Sequence, residues 1–79
     1  SGNVRIGASN SGTVLDVRNS ASANRKVTGV ADGTLSTTST DAVSGKQLNA
    51  TNSNVTAARS VADSAKTSAD SALAKANTL

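Results

Sequence analysis

Hydrophobic positions follow two patterns along this chain, and the change falls near Asp41. Upstream they alternate over short runs. Val4 and Ile6 alternate with Asn3 and Arg5, and Leu15 and Val17 alternate with Asp16 and Arg18. The run Arg25-Lys26-Val27-Thr28-Gly29-Val30 is a third extended candidate. A period of two is that of a half-buried strand. Turns are expected around Asn10-Ser11-Gly12 and at Asp32-Gly33, with a polar loop over residues 19–24. Three strands this short do not make a stable sheet alone, so the pattern calls for neighbouring chains to cover a face.

Downstream the period becomes seven. With position a at Leu48, the a positions are Leu48, Val55, Ala62, Ala69 and Ala76. The d positions are then Thr51, Ala58, Ala65, Ala72 and Leu79. Only Thr51 is polar among them, whereas the competing register puts Asn52, Arg59 and Lys66 in the seam. Ala62-Asp63-Ser64-Ala65 recurs seven residues later as Ala69-Asp70-Ser71-Ala72. No proline interrupts residues 41–79, so the spacing predicts one helix of roughly 58 Å. Ser39 or Asp41 is the expected N-cap, and Asp41 also suits the positive end of the helix dipole. A strict seven-residue repeat winds left-handed, because it falls short of the helix period. Residues at e and g include no acid, so charge pairing across the seam cannot set the register. The β-rich segment upstream is the expected clamp. The step from Val43 to Leu48, with Gly45 between, is where a wider structure is expected to narrow into the coil.

Composition decides how such elements are stabilised. The chain has 79 residues and no Phe, Trp, Tyr, Met, Cys or Pro. Aromatic side chains normally carry much of a core, and a chain this short has little else to bury. Only 16% of residues are charged and the net charge is +3, which is low for a disordered chain. The chain is therefore expected to bury its few apolar residues against copies of itself.

The same composition excludes several chemistries. Without Cys or His there is no disulfide and none of the usual zinc or haem ligands. No cofactor or metal is expected. The candidates for acid–base or nucleophilic work are Asp, Lys, Ser and Thr, and none is paired by motif with an activating partner, so no catalytic residue is expected. Asp63 and Asp70 fall at outward b positions. Arg25, Lys26, Arg59 and Lys66 are scattered, and stacking aromatics are absent, so nucleic acid is not an expected partner. Arg25 is instead a candidate to bridge to Asp32 or Asp41 of a neighbouring chain. No apolar run reaches the roughly 20 residues of a membrane span, and no membrane contact is expected in this segment. Targeting and anchoring parts are expected outside it. Asn49-Ala50-Thr51 and Asn54-Val55-Thr56 match the glycosylation sequon, a pattern that arises by chance in an Asn- and Thr-rich chain.

Two stretches carry a resemblance. They are Asn24-Arg25-Lys26-Val27-Thr28-Gly29-Val30-Ala31-Asp32-Gly33 and Ser39-Thr40-Asp41-Ala42-Val43-Ser44-Gly45-Lys46-Gln47-Leu48-Asn49. Together they resemble the neck of trimeric autotransporter adhesins, surface fibres of Gram-negative bacteria. The family's neck typically reads Asp-Ala-Val, a few variable residues, then Gln-Leu, and Asp41-Ala42-Val43 and Gln47-Leu48 fit it. The resemblance covers residues 24–54, and the heptads beyond are compatible with it.

The resemblance implies an α+β, fibrous homotrimer. Short β-strands would form an interlocked collar, followed by a parallel trimeric coiled coil, left-handed by the heptad argument above. It divides the chain into the end of a β-rich head or connector (1–23), a neck (24–47) and a coiled-coil stalk (48–79). It implies that the segment joins a head to a stalk at the bacterial surface, anchored in the outer membrane by a region outside it. Host matrix or cell-surface molecules would be bound through other parts of the full-length protein. Within the neck, Val27 and Val30 are expected to cap the trimer interior. Gly29 and Gly33 are expected to supply unusual backbone angles. Asp32 and Ala42 complete the motif positions, Asp41 is expected to start the helix, and Val43 and Leu48 to be the first inward knobs. A ligand-binding head module and a trimeric phage tail-fibre segment are the alternative readings.

Overall fold

The computed structural model describes residues 2–79, so the first position of the expected 1–23 segment lies outside it. One regular element is present among them, helix α1, Gly45–Asn77. It is long for a chain of weak helix formers, and its ends explain part of why it holds. Ser44 is the N-cap, with the extended backbone that a cap requires. Its hydroxyl oxygen accepts from the Gln47 N–H at 3.3 Å, and Gln47 Oε1 accepts from the Ser44 N–H at 3.0 Å. The two form a capping box, in which each side chain satisfies a backbone donor that the helix leaves free. Thr78 caps the other end, and Lys75 in the last turn suits the negative end of the dipole.

The expected cap therefore moves. Neither Ser39 nor Asp41 starts the helix. Ser39 Oγ accepts from the Asp41 N–H at 3.1 Å, outside α1. Val43 and Asp41 both precede the helix, and Gly45 is its first residue. Leu79, expected as the last d residue, lies beyond the C-cap.

Residues 2–44 contain no strand among those described. The reason is physical: a strand is defined by its partner, and one chain of three short runs supplies none. What the segment does show is turns. Gly7 C=O accepts from the Asn10 N–H at 3.2 Å, and Asn10 Oδ1 accepts from the Gly12 N–H at 2.9 Å. The loop at 19–23 is tighter. Asn19 Oδ1 accepts from the N–H groups of Ala21 and Ala23, and the Asn19 N–H donates to Ala23 C=O at 2.9 Å. Ser22 takes a positive φ of 61° to close it. The expected turn at Asp32-Gly33 is absent; the chain turns at 36–39 instead, where the Ser39 N–H donates to Ser36 C=O. Asp16 and Arg18, which alternate with Leu15 and Val17, pair with each other at 2.5 Å.

None of the described side chains is buried, polar or apolar. The molecule extends 76 × 33 × 23 Å and has a radius of gyration of 23.2 Å. A compact domain of this length would have about half that, roughly 12 Å. There is no core within one chain.

Candidate functional site: the helix entry and the apolar face

The few half-buried residues mark where the chain is held together. Val30, Gly33, Ser39, Ser44 and Gln47 are among them, and four of these five lie within or against the helix entry. The centre is Gln47. Its Oε1 accepts from the N–H groups of both Ser44 and Gly33, at 3.0 and 2.9 Å. Its Nε2 donates to Gly33 C=O at 2.9 Å. A side-chain amide thus meets a backbone residue as another peptide would, donor to acceptor and acceptor to donor.

Two further contacts fasten the same segment. Asp41 Oδ2 accepts from the Thr34 N–H at 2.8 Å. The Ser44 hydroxyl donates to Asp32 Oδ1 at 2.8 Å, so Ser44 serves the helix and the incoming chain at once. Lys46 Nζ lies 3.3 Å from Asp32 Oδ2. The Ser44 hydrogen bond first, and Lys46 second, hold the Asp32 carboxyl below the usual carboxylate range. Residues 32–34 are in this way laid along residues 41–47, and the turn at 36–39 joins the two.

The glycines divide their roles. Gly29 has φ +77°, the left-handed region expected of it. Gly33 does not. Its need is for space: a Cβ there would collide with the Ala42 carbonyl oxygen and lie 3.0 Å from the Asp41 Cβ. Gly33 is a close-approach glycine, and the expected unusual angle is corrected accordingly.

Sequence reasoning placed Asp32, Gly33, Asp41, Ala42 and Gln47 in this region, and the structure brings them together. Val27 and Val30 lie upstream of the clamp, with Val30 half-buried and Val27 exposed. Ser44, Lys46 and Thr34 were not singled out. The Ser-x-x-Gln spacing at 44–47 was the available signal for Ser44, being the capping-box pattern. Nothing comparable flags Thr34, which acts through its backbone. Within the chain, Asp32 is engaged by Ser44 and Lys46, and Asp41 by the Thr34 N–H; the bridge expected from Arg25 runs to a neighbouring chain.

Along α1 the apolar side chains lie open. Leu48 and Val55 remain 56% and 50% exposed, with Val43 at 55% just before the helix. Asp70 is not merely solvated: it accepts an ion pair from Lys66 one turn earlier, at 2.7 Å. Such an exposed i,i+4 pair adds at most about 0.5 kcal/mol. Among the described residues, no cluster of acids suits a metal ion, and no helix is long and apolar enough to cross a membrane.

A capped helical rod with an open apolar face, entered through a fastened loop, defines a stalk element rather than a globular domain. A family profile described as the coiled stalk of trimeric autotransporter adhesin matches residues 26–77, well over half of the chain. The chain belongs to that family, whose role is structural and whose members are displayed at the cell surface. No curated protein and no solved structure matches it.

Proposed function

We propose that this segment is the neck and stalk of a homotrimeric surface adhesin, joining and aligning a head domain on a coiled-coil rod. The observation that carries the reading is the combination of a fastened helix entry with the absence of any buried apolar side chain among the described residues. A chain that orders its loop but covers none of its Leu, Val or Ile residues must cover them between copies.

In this reading residues 24–47 are the neck and 48–79 the stalk. Three copies bring Leu48, Thr51, Val55, Ala58, Ala62, Ala65, Ala69 and Ala76 to the shared axis in a left-handed coil. Val27, Val30 and Val43 cover the wider end. The arms that flank the 19–23 loop pair with arms of neighbouring copies, which forms the interlocked β collar and satisfies backbone groups one chain leaves free. The clamp at Gln47 then fixes where each helix begins, so the three start level. Residues 1–23 lead in from a β-rich head. Host molecules are met by other parts of the protein, and another region anchors the fibre in the outer membrane.

The test is particle mass by sedimentation equilibrium over a wide concentration range, with helix content followed by circular dichroism. A species of three chains that gains helix as it assembles supports the reading. A folded monomer at every concentration overturns it. In an assembled trimer, Val43→Ser with Leu48→Ser should dissociate the chains; an unchanged melting curve would count against the seam.

A further inference from the structure

The large apolar side chains of α1 do not keep the seven-residue repeat to its end. Leu48 and Val55 are one heptad apart, but the next large residue on their side is Leu73, eighteen residues beyond Val55. In an unbroken heptad Leu73 takes an e position, about 50° out of the a seam. At 3.6 residues per turn, however, eighteen residues are five whole turns. On a straight helix Leu73 is in line with Val55 and within about 20° of Leu48. In the single chain Leu73 is 62% exposed, as open as the two it aligns with.

The alanines between them allow the same line. After Ala62 an apolar residue follows at steps of three, four, four and three: Ala65, Ala69, Leu73 and Ala76. This is the heptad pattern with four residues added, a stutter, which unwinds a coiled coil locally. Each of these four steps lands on an apolar residue, and the stutter buries a leucine where the heptad buries Ala72, so more apolar area leaves water at that layer.

Two features of the structure bear on how the added residues are accommodated. α1 is continuous from Gly45–Asn77, with no bulge or tight turn inside it, so the helix itself does not absorb them. The winding of the chains about one another must. A stutter also turns the residue after Ala65 toward the axis, and that residue is Lys66. Its ammonium is drawn along its own helix to Asp70, at 2.7 Å, away from such a seam.

We infer that three copies of this chain pack with Leu73 in the shared seam, through a stutter between Ala62 and Leu73, and that the left-handed supercoil relaxes toward straight there. The inference rests on the trimeric reading above. From Leu48 to Leu73 the seam then makes seven turns in 25 residues, about 3.57 per turn, which is nearer the straight helix than the 3.5 of a pure heptad.

The experiment uses single-cysteine variants of the full chain, which has no cysteine of its own. Ala72→Cys and Leu73→Cys are oxidised under identical conditions, and interchain disulfides are followed on denaturing gels, after the parent's mass is measured. A parent that is monomeric throughout overturns the trimeric reading itself, an outcome distinct from a wrong register. In a trimeric parent, Leu73→Cys should cross-link at least about fivefold faster than Ala72→Cys, because disulfide closure requires close, facing Cβ atoms. Equal rates, or faster closure at 72, overturn the stutter. Lysine variants read the same question without oxidation. Leu73→Lys should dissociate the trimer while Ala72→Lys leaves it assembled, and the reverse result restores the unbroken heptad.

Discussion

Gln47, in the first turn of the helix, holds Gly33 by both of that residue's backbone polar groups, each at 2.9 Å. One side chain thereby sets the distance and direction at which the incoming segment meets the stalk. The same amide oxygen accepts from the Ser44 N–H, so helix capping and loop docking form together.

Removal of the Gln47 amide should uncouple the two. Each hydrogen bond of this kind is worth on the order of 1 kcal/mol net, so Gln47→Ala should destabilise the assembled protein by about 1–3 kcal/mol. Gln47→Glu keeps an acceptor for the Gly33 N–H but loses the donor to its C=O, and should fall between. Thermal unfolding at fixed chain concentration measures both. Amide exchange at Gly33 should quicken in step; protection unchanged in Gln47→Ala would contradict the clamp.

Gly33 and Gly29 should respond to alanine for different reasons. Gly33→Ala drives a Cβ into the Ala42 carbonyl and should cost about 1–3 kcal/mol as overpacking. Gly29→Ala meets no atom but must hold φ +77°, a cost of about 1–2 kcal/mol. Melting midpoints give both costs. A D-alanine placed synthetically at 29 should restore stability, and at 33 should not, because only the first defect is one of handedness.

Helix initiation at Ser44 predicts that Ser44→Ala costs about 1 kcal/mol and frays the first turn. Ser39→Ala, outside the helix, should leave helix content unchanged. Circular dichroism of the two variants at equal concentration separates them, and equal losses of helix would place the cap wrongly.

Acid should weaken the helix entry through Asp32. The Ser44 hydroxyl and Lys46 stabilise its carboxylate, so its pKa in the folded chain lies below the ordinary value. Its contribution to stability is then complete above the ordinary aspartate range, near pH 4, and is lost as pH falls from there through the depressed value. Melting temperatures of the parent should decline in that window. Asp32→Asn should start lower at neutral pH and decline less. Identical pH profiles for the two would remove Asp32 from the account.

Much of the local chemistry was legible in the sequence. The heptads from Leu48 onward announced a helix, and the Asp41-Ala42-Val43 and Gln47-Leu48 pairs marked its entry. The loop at 19–24 stood out as a polar run, and the turn around Asn10-Ser11-Gly12 by its residue types. The cap was misplaced because Ser39, Asp41 and Ser44 are all good capping types, and the choice depends on which donors each finds. Asp41 found Thr34, and Ser39 found Asp41, which left Ser44 for the helix. The strands were read from alternation alone, and alternation records a face to be covered without supplying its partner.

By itself the sequence determined that this chain has no core of its own: a short chain of Ala, Ser, Thr and Val without aromatics lacks the area to bury. It also determined the helix and its apolar line, because both are periodic and local. Only the tertiary structure decided how the chain enters that helix. The contacts that fasten residues 32–34 to residues 41–47 are hydrogen bonds across a turn, made by a backbone glycine, a backbone threonine and the side chains of Asp32, Asp41, Ser44 and Gln47. Such bonds depend on distance and direction between groups well apart in the chain, and no periodicity of residue types records them.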